Sequence, residues 1–177
     1  DIRKDTLYCD PKDSKKRKST LLLLNVMLNS LLKWFAPILS FTTEEIYQLV
    51  SKSKKSIHLE KFLNFPEQFE NTQLYEKWLK LILIRDTCNL SIEEKRASKE
   101  IGSSLESSLQ IELPKELFKI FKDVDFAELC IASSVKVKEN SENEIKVLTT
   151  KAFGKKCPIC WKISQEGCQR PNCELKR

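Results

Sequence analysis

Leucines at helical spacing through residue 101, alternating apolar residues after Gly102 and a terminal cluster of cysteines place this sequence in the mainly α class. The predicted order is a helical bundle, a small α+β junction unit and a C-terminal zinc knuckle. Only three glycines, Gly102, Gly154 and Gly167, occur in 177 residues. With abundant Leu, Lys and Glu, that composition favours helix. The predicted boundaries are a linker over 1–18, the bundle over 19–104, the junction unit over 105–150 and the zinc module over 151–177.

The opening DIRKDTLYCDPKDSKKRKS mixes charges around Leu7, Tyr8 and Cys9, with Pro11 interrupting any helix, and ends in the basic run Lys15, Lys16, Arg17, Lys18. Such a run is either a solvated helix start or a phosphate contact. An Asp at position 1 reads as a chain that begins within a longer protein, and a processed terminus would look the same. From Thr20 to Phe35, Leu24, Met27, Leu28, Leu31 and Phe35 form a helical stripe that predicts a mostly buried helix. Pro37 ends it, and Thr42-x-x-Glu45 has the spacing of a capping box that restarts a helix through Val50. Trp34, Phe35, Phe41 and Tyr47 then read as core.

Residues 57–71 lack a sustained period and predict a long loop; His58, the only histidine, has no supporting motif around it. Leu74, Trp78, Leu81, Arg85, Cys88 and Ile92 recur at alternating four- and three-residue steps, which predicts a helix over 73–101 with Gly102 as its stop. Arg85, in line with that apolar face, is expected to pair with a carboxylate or to turn to a groove. Beyond Gly102, SLQIELP alternates as a short strand and Lys115–Phe121 is helical. FAELCIASSVKVKEN alternates again, with 144–148 expected as its hairpin partner.

Cys157, Cys160, Cys168 and Cys173 stand as C-x2-C, seven residues, then C-x4-C. A tight C-x2-C turn brings two sulfurs to one side, and zinc takes four thiolates in a tetrahedron, so the spacing fits a structural zinc. The alternatives are a disulfide framework, which belongs to chains with a secretory signal whereas DIRKDTLYCD has no apolar h-region, and a redox C-x-x-C, which needs no second cysteine pair and normally follows a strand of a βαβ unit. The longer x4 spacing sets Cys173 apart from the other three. No apolar run reaches the length of a membrane span, and the cysteine usage points to a reducing, cytoplasmic compartment.

The net charge of +6 is concentrated at the two ends: residues 1–20 carry seven Lys/Arg against four Asp, and residues 151–177 carry seven against two acidic residues. A cationic knuckle on a near-neutral body fits a polyanion such as nucleic acid; a solubilising tail is the bland alternative. Catalytic chemistry is missing. One histidine makes no nucleophile–base pair, three isolated glycines make no phosphate loop, and a four-thiolate zinc has no open position to activate water.

Several stretches carry a family resemblance: DIRKDTLYCD at 1–10, WFAPILSFTTEEIY at 34–47, SIHLEKF at 56–62, RDTCNLSIEEKR at 85–96, IGSSLESSL at 101–109 and CPICW at 157–161. With them the chain resembles the C-terminal region of bacterial isoleucyl-tRNA synthetases, of the class I aminoacyl-tRNA synthetase family. The resemblance implies a bundle of the anticodon-binding type, a junction and a zinc module on the anticodon side of tRNA(Ile). It also implies that the catalytic part of the same polypeptide, with its ATP and isoleucine sites, lies elsewhere, and that the protein is a monomer. CQRPNC departs from the commoner C-x-x-C of that family. Under this reading Lys155, Lys156, Trp161, Lys162 and Arg170, with Lys15, Lys16 and Arg17, are the candidate RNA contacts. Trp161 would stack on an unpaired base or else cover the zinc. The alternatives are the DNA-binding zinc module of a glycosylase-like protein and a zinc-stapled interaction scaffold.

Overall fold

The computed structural model describes residues 2–51, 55–168, 170 and 173. They fall into two compact units, one of residues 12–71 and one combining the N-terminal eleven residues with the chain from Thr72 onward. This division falls in front of the long helix that the sequence groups with the bundle. About half of the described chain is helical, with a small mixed sheet.

The 12–71 unit is a helix pair. Helix α2, Lys15–Phe35, begins at Ser14, whose hydroxyl accepts the Arg17 N–H at 3.3 Å. The basic run therefore forms its first turn, and the helix extends back into the segment expected to be linker. Pro37 follows its end, and α3 spans Ser40–Val50. The expected capping box does not form. The helix starts at Ser40, which leaves Thr42 inside its first turn, and Thr43 Oγ1 donates instead to Leu39 O at 2.9 Å. Glu44 closes the unit: its carboxylate accepts from the Ser56 hydroxyl and the Ile57 N–H, each at 2.8 Å. Gln48, Ile57 and Ser56 together hold the carboxyl below its ordinary pKa.

Leu32, Ala36, Tyr47 and Ile57 make the small core, with Leu28 against it. The rest of the expected stripe is exposed: Leu24, Met27, Leu31 and Phe35 are half-open, and of the aromatic set only Tyr47 is buried, Phe41 being 92% exposed. A leucine-rich helix that is apolar on several sides cannot be covered by one partner helix, and a unit this small buries a limited share of its surface. Residues 57–71 hold two short 3-10 turns, Ile57–Leu59 and Glu67–Phe69.

The second unit is built on a three-stranded sheet. Its centre is β1, Ser107–Pro114, with β2, Ser134–Asn140, parallel on one side and β3, Lys146–Lys151, antiparallel on the other. The register sets Ile111 opposite both Val137 and Val147. The expected β2–β3 hairpin is therefore wrong. A parallel β1–β2 pair needs a crossover connection, and α5, Lys115–Phe121, with α6, Phe126–Leu129, supply it. The FAEL residues expected as strand are α6, N-capped by Asp125, whose carboxylate accepts the Glu128 N–H at 2.9 Å.

Helix α4, Thr72–Ala97, packs on β3 and β1. Its buried residues Leu81, Ile84, Cys88 and Ile92 meet Leu109, Ile111, Leu113, Phe121 and Phe126 in one core, and Arg85 Nε donates to Leu129 O at 3.1 Å. Arg85 thus caps a backbone carbonyl. The helix stops four residues before the expected end. Lys99, at φ 60, adopts the left-handed conformation expected of Gly102, and the N–H groups of Lys99 and Glu100 return to Arg96 O and Lys95 O. Phe121 is fully buried in this core. Phe121→Ala should destabilise the unit by about 3–5 kcal/mol in urea unfolding.

The N-terminal segment is structured: α1, Lys4–Cys9, docks on α6 through Arg3 Nη1 to Glu128 Oε1 at 2.6 Å, with Thr6 buried beside it. A hairpin of β4, Lys155–Lys156, and β5, Ile163–Ser164, follows β3. Ser133 fastens this hairpin by accepting the Ile163 N–H at 2.7 Å. No helix among the described residues is long and apolar enough to cross a membrane.

Candidate metal centre and its basic surround

The β4–β5 hairpin exists to turn Cys157–Trp161 through a tight loop. Gly154, at φ 130, is needed at its base because a Cβ there would meet the Ser164 backbone at 2.4 Å. In the loop the Cys157 N–H donates to Lys162 O at 2.9 Å and the Trp161 N–H to Cys157 O at 3.0 Å. This closure carries the backbone N–H groups of Ile159 and Cys160 round to the Cys157 sulfur, and that of Lys162 to the Cys160 sulfur.

Cys157, Cys160, Cys168 and Cys173 come together with all four sulfurs within 4.8 Å of one another. Four thiolates at 2.3 Å from one tetrahedral ion would be about 3.8 Å apart. Cys160 and Cys168 sulfurs stand 3.5 Å apart, far beyond the roughly 2.05 Å of a disulfide, and the cysteines are free thiols. The donor set and spacing therefore fit a tetrahedral metal ion, and Cys173 is fully buried within the set despite its x4 spacing.

The electrostatics agree. Burial opposes ionisation of Cys157, but the N–H groups of Cys160 and Ile159, with the neighbouring thiols, outweigh it and bring the pKa down to about 6. Burial and the thiols of Cys168 and Cys157 push Cys160 up to about 11 against the Lys162 N–H, and burial with Cys168 and Cys160 raises Cys173. One thiol is thus ready as a thiolate, and an entering cation must displace protons from its neighbours.

The sequence-predicted basic residues divide between the two units. Lys155 and Lys156 are exposed on β4; Lys156 Nζ stands 6.0 Å from the Trp161 ring centroid and 3.6 Å from Glu106 Oε1. Trp161 is 60% exposed and sits at φ 65, a left-handed conformation that costs a bulky residue on the order of 1–3 kcal/mol. Lys162 is half-buried beside it. Arg170 is paired with Asp5, Nη2 to Oδ2 at 2.6 Å, so an internal partner holds it. Lys15, Lys16 and Arg17 form the first turn of α2, in the other unit.

Sequence reasoning missed two features. One is the left-handed backbone at Trp161, which only the neighbouring C-x2-C turn could have hinted at. The other is Cys9, which packs against the four-cysteine set from α1; its distance along the chain hid it.

Helices, a small mixed sheet and a cluster of four thiols make up the described residues. Residues 1–113 match the family model described as the anticodon-binding domain of tRNA ligase, and the chain belongs to that family. It is 60% identical over 170 residues to an isoleucine–tRNA ligase of Pelagibacter ubique (strain HTCC1062), covering 96% of this chain and 19% of that protein. It is 38% identical to the isoleucine–tRNA ligase of Bradyrhizobium diazoefficiens (93% of this chain, 18% of that protein) and 39% identical to that of Methylacidiphilum infernorum (93% and 18%). The chain therefore spans about a fifth of the length of these relatives. The four cysteines lie beyond the matched residues 1–113.

Proposed function

We propose that this chain is the tRNA-holding part of an isoleucine–tRNA ligase, placing tRNA(Ile) by its anticodon side while activation of isoleucine with ATP takes place in the catalytic part of the same polypeptide. The family match over residues 1–113 carries the reading, and relatives that share nearly the whole chain supply the amino acid. The work is cytoplasmic and done by a monomer. In this reading the sectors keep their expected roles, a lead-in, a bundle, a junction over 105–150 and a zinc module over 151–177, with the bundle opening at α2 rather than at residue 19 and α4 shared with the sheet of the junction. The apolar surface left on α2 and α3, with Leu22, Leu23 and Phe41 exposed, is of the kind that another part of a polypeptide covers.

The metal is zinc. Cys157, Cys160, Cys168 and Cys173 would hold it, and a closed four-thiolate shell supplies a cross-link without Lewis-acid chemistry. The chain's own residues do the rest. The knuckle holds Trp161 outward with Lys155, Lys156 and Lys162 around it, an aromatic face for an unpaired base among cations for phosphates. Lys15, Lys16 and Arg17 support a second phosphate contact. Cations in the first turn of a helix oppose its macrodipole, so this placement does not serve helix stability, whereas it suits an anion. Arg170 would contribute through the shape of the module, given its pairing with Asp5.

Trp161→Gly separates stacking from packing better than an alanine, because glycine relaxes into the left-handed backbone and preserves the knuckle. The expected outcome is retained zinc with tRNA(Ile) affinity lowered roughly 5- to 150-fold, the worth of one stacked base. Unchanged affinity with zinc retained would remove Trp161 from the RNA surface, and zinc loss would assign it to the metal site.

A further inference from the structure

A fifth cysteine lies against the four-thiol set. Cys9, the last residue of α1, is buried and packs with Cys157, Cys160 and Cys173. Its sulfur meets the Cys173 thiol and the Arg170 guanidinium. A second link joins the same two segments, because Arg170 Nη2 lies 2.6 Å from Asp5 Oδ2 with both side chains three-quarters buried. Asp5 and Cys9 are four residues apart on α1, so both contacts leave from one helix face. One lands on Arg170, between the third and fourth candidate ligands, and the other on Cys173, the fourth.

The chemistry of the set gives these contacts a direction. A divalent ion with four thiolates is a dianion, and burying it is costly unless donors and cations surround the sulfurs. Backbone N–H groups serve Cys157 and Cys160. Beside Cys173 lies the Cys9 thiol, with Cys173 the donor for as long as it keeps its own proton. A metal-bound thiolate has no proton to give, so in the loaded centre the Cys9–Cys173 contact requires Cys9 to donate. Four sulfurs already complete a tetrahedral shell, and Cys9 is outside the group whose sulfurs all lie within 4.8 Å.

We propose that Cys9 is an outer-sphere thiol of the metal centre, donating its S–H to the Cys173 sulfur, and that with the Asp5–Arg170 pair it makes docking of α1 conditional on the metal. Metal occupancy is then felt at Arg3–Cys9. The proposal rests on the reading of the four cysteines as a metal site.

Hydrogen exchange at residues 3–9 of the full-length protein, read together with metal content, tests it. Chelation should speed exchange at 3–9 along with 155–168. Cys9→Ala should keep one metal per chain yet speed exchange at 3–9 on the order of tenfold or more, the effect of one hydrogen bond to a charged acceptor. Cys9→Ser, which keeps a donor, should restore most of the protection, and Asp5→Asn should weaken it without metal loss. Exchange at 3–9 that ignores chelation would overturn the proposal, as would exchange that ignores Asp5→Asn or identical behaviour of Cys9→Ala and Cys9→Ser. Loss of metal in Cys9→Ala alone would make Cys9 a ligand and equally overturn it. A metal-free wild-type protein would instead sink the metal reading itself, which keeps the two failures distinct.

Discussion

A full-length isoleucine–tRNA ligase truncated before residue 1 of this chain should exchange ATP and pyrophosphate with isoleucine at the rate of the intact enzyme, yet charge tRNA(Ile) about a hundredfold more slowly. Activation needs only the amino acid and ATP. Charging needs the acceptor end of the tRNA held in place, and loss of positioning energy far from the reacting atoms can cost about that factor. Exchange activity in this chain alone, or undiminished charging by the truncated enzyme, would contradict the assignment.

The second large effect concerns the metal. Zinc removal by a strong chelator should unfold the β4–β5 hairpin and its cysteine loop while leaving most of the helical circular dichroism intact. Among the described residues the cysteine cluster packs on little beyond its own sulfurs and Ile159, whereas α4 and the three-stranded sheet share a continuous core. Structural zinc in small modules contributes roughly 10–16 kcal/mol of apparent binding energy, far more than the Ser133–Ile163 hydrogen bond or the Asp5–Arg170 pair can supply. Cys157→Ser should lose the metal in the reduced protein. Metal content unchanged in that variant, or a reduced wild-type protein without zinc, would remove the centre.

What could be read from the sequence was what is local. The four cysteines announce themselves because C-x2-C is a turn whose geometry needs no distant partner, and β1 is legible because Leu109, Ile111 and Leu113 all face one core. The pairing of β2 was misread because the short segment between Asn140 and Lys146 invites a hairpin. Burial decided otherwise, since Val135 and Val137 pack with the core through a parallel neighbour that only the α5–α6 crossover makes possible. The stop of α4 moved for a similar reason. A left-handed cap can form at Lys99 when the chain must turn there, and composition alone favoured Gly102. In α2 the apolar stripe is real, but periodicity reports which residues can be buried and not whether a partner covers them. At the site, the tie between Asp5 and Arg170 and the approach of Cys9 bring together residues at opposite ends of the chain, which no local pattern encodes.

The most direct test of the central claim is competition binding to the full-length protein and to its truncation before residue 1. Labelled tRNA(Ile) is displaced by unlabelled tRNA(Ile), by a non-cognate tRNA or by duplex DNA at fixed salt. The account predicts tight binding by the intact protein only, displacement by tRNA(Ile) well below the concentration of non-cognate tRNA required, and weak displacement by duplex DNA. Equal competition by duplex DNA, or equal affinity of the truncated protein for tRNA(Ile), would contradict it.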